Sequence, residues 1–229
     1  MSFIEESFFK AFSLIFSVNT ELFQIIRTSL AVSGTAMILA LLVSAGLIYL
    51  LEFRKFPGKT LLITLINTLM GLPPVVVGLL LYLLLSRSGP LGVLELLYTP
   101  TAMIFAQAIL ATPIITGLSF AAIRSADPAI KLAALSLGAT EFQATCRLVL
   151  ELRYSILASV VAGLGRLMAE VGAVLMVGGN IAGYTRMMTT SIVMEADKGD
   201  FELAIALGII LLLIAFTING ALHFLQKRT

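Results

Sequence analysis

Residues 127–143 read Asp127-Pro-Ala-Ile-Lys-Leu-Ala-Ala-Leu-Ser-Leu-Gly-Ala-Thr-Glu-Phe-Gln143. Asp127 is suited to cap a helix and Pro128 to sit in its first turn. The helix runs through Ala129, Ala133 and Ala134 to about Leu137. Gly138 ends it, because glycine accepts the left-handed backbone of a C-terminal cap. Thr140-Glu-Phe-Gln143 has the spacing of a capping box, so a second helix starts there and passes Arg147 and Leu150. Helix, glycine turn, helix is the shape of a docking knob, and small alanine side chains let it sit close in a partner's groove. The alternative is a plain connecting loop.

Outward from this loop, the sequence is strongly apolar. The chain has 229 residues, 59% hydrophobic and 12% charged, with a mean hydropathy of +1.04. Soluble domains carry roughly 25% charged residues, so lipid must cover the excess apolar surface. Five runs approach the ~20 residues that cross a bilayer: 29–51, 60–86, 100–123, 156–177 and 203–224. Backbone groups in lipid must be paired internally, and no short alternating strands suggest a barrel, so the spans are read as helices. The expected fold is an all-α membrane protein: one transmembrane domain over 1–229 with five transmembrane helices and the long loop 124–155. Residues 3–17 are read as an N-terminal amphipathic helix, with Phe8, Phe12, Ile15 and Phe16 on one face and Glu6, Lys10, Ser13 and Ser17 opposite. The acidic start lacks the basic region of a signal peptide.

Charge sets the expected orientation. Arg54, Lys55, Lys59, Arg124, Lys131, Arg147, Arg153, Lys227 and Arg228 flank one end of the spans; only Arg87, Arg186 and Lys198 flank the other. The positive-inside rule places the first set in the cytoplasm, with the N-terminus outside and the C-terminus inside. A net charge of +2 gives no electrostatic case for nucleic acid. The lone Cys146 excludes a disulfide framework and a cysteine-type metal site, and the lone His223 is read as a helix-end or interface residue.

Two features sit inside the fourth run. Ala162, Gly163, Gly165, Ala169, Gly172 and Ala173 make it a close-packing helix. Arg166 and Glu170 lie at i and i+4, where each buried charge costs at least about 2.5 kcal/mol. They are expected to pair, either as a gate element or as a structural ion pair fixing helix register. Pro73-Pro74 and Thr112-Pro113 are expected to kink the second and third spans.

Ala133-Ala134-Leu-Ser-Leu-Gly138-Ala139-Thr140, with Phe142, Leu148 and Leu150, resembles the "EAA" loop of ABC importer permeases. Leu132 stands where that family usually has an acidic residue, and Glu151 where it usually has proline. The run from Glu170 through Gly178-Gly179-Asn180-Ile, and Gly71-Leu-Pro73-Pro74-Val-Val-Val-Gly78, resemble the molybdate, sulfate and tungstate permeases, with the tungstate permeases nearest.

The resemblance implies the type I importer fold and the transmembrane permease subunit of an ATP-driven tungstate importer. Molybdate and sulfate remain open as substrates. It further implies a homodimer in a bacterial or archaeal cytoplasmic membrane, two ATPase subunits docking on Ala133, Ala134, Gly138, Ala139 and Thr140, and an extracytoplasmic substrate-binding protein at loops 87–99 and 178–202. Pathway or gate candidates are Arg166, Glu170, Asn180, Asn67, Gln107 and Thr112. No phosphate-binding glycine-rich loop with a lysine is present, so the chain is expected to hold no cofactor and to do no covalent chemistry. ATP and Mg would be bound by the ATPase. A gradient-driven secondary transporter would need no docking loop and often carries inverted repeats, which are not evident here.

Overall fold

The computed structural model describes residues 9, 11–13, 15 and 19–227, without the side chains of residues 222, 223 and 225–227. Every regular element among the described residues is helical. Of the amphipathic segment, Phe8, Phe16, Glu6, Lys10 and Ser17 lie outside the described residues. Ala11 is buried in a cluster with Leu22, Ile25 and Leu207, and Phe9 and Phe12 are exposed.

Helix α1 spans Thr20–Phe53, with Asn19 Oδ1 accepting from the Glu21 and Leu22 N–H groups at 2.9 and 3.2 Å. It begins nine residues before the expected span. One face buries Ser29, Val32, Ser33, Ala36, Met37, Ala40 and Ser44, mostly small residues spaced three or four apart. That stripe lies along α4, Pro100–Arg124, the central helix of the structure. In its apolar window 67% of residues are buried, against 17% for the last helix. Thr99 caps α4 and Pro100 opens it. Ser44 Oγ donates to the Thr112 carbonyl at 3.2 Å, tying α1 to α4. Pro113 lies inside α4, which continues as one helix from Pro100 to Arg124.

The second apolar run differs more. It forms α2, Lys59–Met70, and α3, Pro74–Leu85, bent by 105° across residues 71–73. A kink was expected; the chain turns through more than a right angle. Gly71 closes α2, and two successive prolines lack the N–H groups needed to continue the ladder. Each half is about 18 Å long, short of the ~30 Å hydrocarbon core.

The helix, glycine turn, helix reading of this loop is matched closely. Helix α5 spans Pro128–Ser136 and α6 spans Glu141–Glu151. Asp127 Oδ1 accepts from Ala129 N–H at 2.8 Å. Gly138 has φ +87°, and the Gly138→Leu135 and Ala139→Ala134 backbone bonds form a Schellman cap. Both capping-box bonds between Thr140 and Gln143 are present. Lys131 Nζ meets Glu141 Oε2 at 3.0 Å and braces the two helices.

The fourth apolar run is also broken. Helix α7 spans Arg153–Met168, the ladder stops over residues 169–171, and α8 spans Gly172–Gly178. The segment after it, read only as a loop, contains α9, Met188–Lys198, which folds back against the last helix α10, Phe201–Lys227. Three described helices, α1, α4 and Phe201–Ala221 of α10, are individually long and apolar enough to cross a membrane. Exposed Leu42, Leu61, Leu212 and Phe216 mark an apolar exterior suited to lipid.

Candidate functional site

Two chain breaks meet inside the structure. Helices α3 and α8, each starting just after a break, pack on each other. A Cβ on Gly78 would lie 2.8 Å from the Ala173 Cα, and one on Gly172 would lie 2.8 Å from the Val75 side chain. Only glycine lets these backbones approach so closely.

The break at 169–171 leaves helical backbone groups without helical partners, and side chains supply several. Buried Gln107 donates from Nε2 to the Leu167 carbonyl at 3.2 Å. Thr189 Oγ donates to the Glu170 carbonyl at 2.8 Å. The Glu170 carboxylate accepts from Ala173 N–H at 2.8 Å and so caps α8 itself. Glu170 is only 2% exposed.

Arg166 and Glu170 therefore do not share one helix, and they form no ion pair within 4 Å among the described residues. The acid turns toward the backbone at the start of α8 instead. Arg166 stays half-buried in the last turn of α7, where its charge suits the helix dipole. Beside it Ala162, Gly165 and Ala169 are exposed, and the space at Gly165 is open.

A second knot closes α8. Gly179 and Asn180 are left-handed, at φ +68° and +51°. Thr185 Oγ donates to the Gly178 carbonyl at 2.6 Å and accepts from Ile181 N–H at 2.9 Å. Tyr98 N–H donates to the Val177 carbonyl at 2.8 Å. A Cβ on Gly178 would lie 2.8 Å from the Met103 sulfur. Asn180 Nδ2 lies 3.2 Å from the Met194 sulfur, and its buried Oδ1 has no partner.

Gln107 and Glu170 thus converge on one break, with Arg166 one turn away and Asn180 at the far end of α8. Thr112 directs its hydroxyl to the Ala108 carbonyl at 2.7 Å within its own helix. Asn67 is exposed on α2, near Gly117 of α4. Sequence reasoning missed Thr185 and Thr189, and also Ser29, whose Oγ accepts from Met188 N–H at 2.7 Å. The only sequence signal was the polar run Thr189-Thr190-Ser191 beside otherwise apolar segments.

At the opposite end, α5 and α6 form an exposed pair. Leu137 is 89% exposed and Leu132 63%. Ala133, Gly138 and Thr140 are exposed; Ala134 and Ala139 are half-buried. A groove of about 500 Å³ runs between the helices past Ala133, Ala134, Leu137 and Gln143 to Arg147. No group of three metal-ligating side chains occurs among the described residues.

Residues 43–229 match the family model described as "binding-protein-dependent transport system inner membrane component". The chain is 41% identical over 227 residues to the tungstate uptake system permease protein TupB of Peptoclostridium acidaminophilum, covering 99% of this chain and 100% of the relative. It is 43% identical to a probable anion ABC transporter permease protein of Haloferax volcanii, covering 92% and 93%. A bacterial ABC transporter involved in the import of the acidic polysaccharide alginate shares the fold, with a TM-score of 0.77 at 20% identity, covering 96% of this chain and 83% of that one.

Proposed function

The chain belongs to the family of binding-protein-dependent transport system inner membrane components, and from that premise we propose that it carries tungstate across the cytoplasmic membrane as the permease subunit of an ATP-driven importer. The observation that carries the transport reading is the capped α5–Gly138–α6 knob, exposed at one end of an apolar helical bundle. Near full-length identity to a tungstate uptake permease supports the substrate. The chain is a multi-pass membrane protein and a translocation component rather than a catalyst; ATP hydrolysis falls to a separate ATPase.

The finer organisation follows from physics. A dianion moving into a cell against about 100 mV costs about 4.6 kcal/mol, twice the ~2.3 kcal/mol per charge. Concentrating it costs about 1.4 kcal/mol more per tenfold. A passive channel would leak the anion outward, so entry must be coupled to an energy source, which in this reading is hydrolysis by the partner ATPase. In our reading the permease is a homodimer in a bacterial or archaeal membrane, with the N-terminus outside and the C-terminus inside. The broken pairs α2–α3 and α7–α8 each make one crossing, which gives five. Two ATPase subunits, which bind ATP and Mg, seat the α5–α6 knobs through Ala133, Ala134, Gly138, Ala139 and Thr140. A substrate-binding protein delivers the anion at the far face, near 87–99 and 178–202. Arg166 is the pathway cation, while Glu170 and Gln107 hold the break that opens and closes. Asn180 shapes the outer end of α8, with Thr112 and Asn67 along the neighbouring helices.

The test is ATP-dependent uptake of labelled tungstate into vesicles holding this chain, its ATPase and its binding protein, with molybdate and sulfate as competitors. Gly138→Val forces a β-branched residue to φ +87° and should abolish uptake. Uptake without ATP, or undiminished uptake by the variant, would refute the reading.

A further inference from the structure

A second cavity, of about 350 Å³, lies where the cytoplasmic ends of the spans meet the docking knob. It is walled by Glu52 at the end of α1, Lys59 at the start of α2, Arg124 at the end of α4, and Asp127 and Lys131 around the start of α5. Its floor is apolar: Phe120 and Ile123 of α4, with Leu148 of α6.

The charges in this cavity are unequally spent. Asp127 is occupied as the cap of α5, and Lys131 is paired with Glu141. Arg124 lies over the Phe120 ring at 5.8 Å, which leaves its guanidinium N–H groups free to donate. Among the described residues, neither Lys59 nor Arg124 forms an ion pair, and neither does Glu52. Two uncommitted cations therefore face one uncommitted carboxylate, above an apolar floor, at the boundary of the membrane. The cytoplasmic leaflet is rich in anionic headgroups, and basic pockets between transmembrane helices on that side suit them.

We propose that this cavity binds a tetrahedral oxyanion group, Lys59 and Arg124 holding its oxygens, and that the group is the phosphate of an anionic phospholipid with its glycerol against Phe120 and Leu148. The proposal rests on the transport reading only for the orientation that puts this end of the spans at the cytoplasmic leaflet. Bound there, the headgroup would bridge α2 to α4 with its glycerol against α6 of the knob. The knob would then be held at a fixed angle to the bundle.

The permease–ATPase complex, purified and stripped of lipid, would be titrated with phosphatidylglycerol, with phosphatidylcholine, and separately with inorganic phosphate, and retained ligand counted by native mass spectrometry. Wild type should retain phosphatidylglycerol in preference to phosphatidylcholine. Lys59→Gln with Arg124→Gln should weaken retention about twenty-five-fold, at about fivefold per basic side chain. Lys59→Arg with Arg124→Lys should restore it. Retention of inorganic phosphate that depends on the same two side chains would keep the site and make a free anion its ligand. Equal retention by wild type and the double variant, or retention of neither ligand, overturns the proposal. Lys59→Gln alone should weaken retention about fivefold. It serves if the double variant fails to assemble, since the Lys59 side chain has no described hydrogen bond or ion pair. The readout needs neither tungstate nor turnover, so its failure is distinguishable from failure of the transport reading.

Discussion

Removing the Glu170 carboxylate separates its two possible roles. Glu170→Ala leaves the Ala173 N–H without its 2.8 Å acceptor at a buried site. An unmet buried donor costs about 1–3 kcal/mol, and loss of a helix cap about 1 kcal/mol. These describe the same interaction and do not add. For a chain of this length each kcal/mol moves the melting temperature by about 2–4 °C. Glu170→Ala should therefore lower it by about 2–12 °C. Glu170→Gln keeps an oxygen in the same place and loses only the charge assistance, roughly half of the bond's strength. Its melting temperature should fall less than half as far. The assay is thermal unfolding of the purified permease–ATPase complex beside tungstate uptake in vesicles. Uptake should fall severely for the alanine variant and modestly for the glutamine variant. If glutamine behaves as badly as alanine in both measurements, the charge itself matters and the capping argument is wrong. If alanine matches wild type, the break does not depend on this residue.

The other predictions follow the same geometry. Gly78→Ala drives a Cβ to 2.8 Å from the Ala173 Cα and should destabilise by about 1–3 kcal/mol, whereas Gly34→Ala, with open space around it, should be neutral or stabilising by up to about 1 kcal/mol; paired melting curves check both. Arg166→Gln removes a side chain with no ion-pair partner, so stability should stay within about 0.5 kcal/mol while uptake of a divalent oxyanion collapses; unchanged uptake would remove Arg166 from the pathway. Thr189→Val deletes the buried bond to the Glu170 carbonyl with little change in shape, leaves that acceptor unmet and should cost about 1–3 kcal/mol, measured as a lower melting temperature.

The parts of the fold legible in the sequence are those with local signals. Asp127, Gly138 and the Thr140–Gln143 box each act within a few residues, so the α5–α6 knob was readable almost to its boundaries. Apolar run length located the helices, but it is blind to direction. It joined α2 to α3 across a 105° bend, and α7 to α8 across a break. The first break carried a warning in Pro73-Pro74. The second had no proline, and it is held open by Gln107 and Thr189, which reach it from distant points in the chain. Spacing alone put Arg166 and Glu170 on one helical face, and that inference failed where the helix did. Helix α9 was invisible to propensity: Thr-Thr-Ser is a poor helix former. It forms because Thr190 caps Met187 N–H and Ser29 of α1 takes the next N–H.

The breaks are what would let a push at one end become an opening at the other. Helix α6 passes through Leu152, with a 64° bend, directly into α7, so on the transport reading movement of the α5–α6 pair is handed to α7. The sixteen residues of α7 make a rod of about 24 Å, and tilting it by about 10° would move its far end about 4 Å. A continuous helix would resist that motion with its whole ladder of backbone bonds. At 169–171 the ladder thins to the Ala169→Gly165 bond and a Glu170→Leu167 turn, and single side-chain bonds from Gln107, Thr189 and Glu170 support it. Strain from the knob should therefore concentrate there, beside Arg166 and where α3 and α8 pack together. On the transport reading this makes Thr189→Val informative beyond stability. Weakening one of the three bonds should raise ATP hydrolysis relative to tungstate moved, because the break gives way without carrying α8 with it. A variant that loses stability yet keeps the wild-type ratio of tungstate to ATP would place the hinge elsewhere.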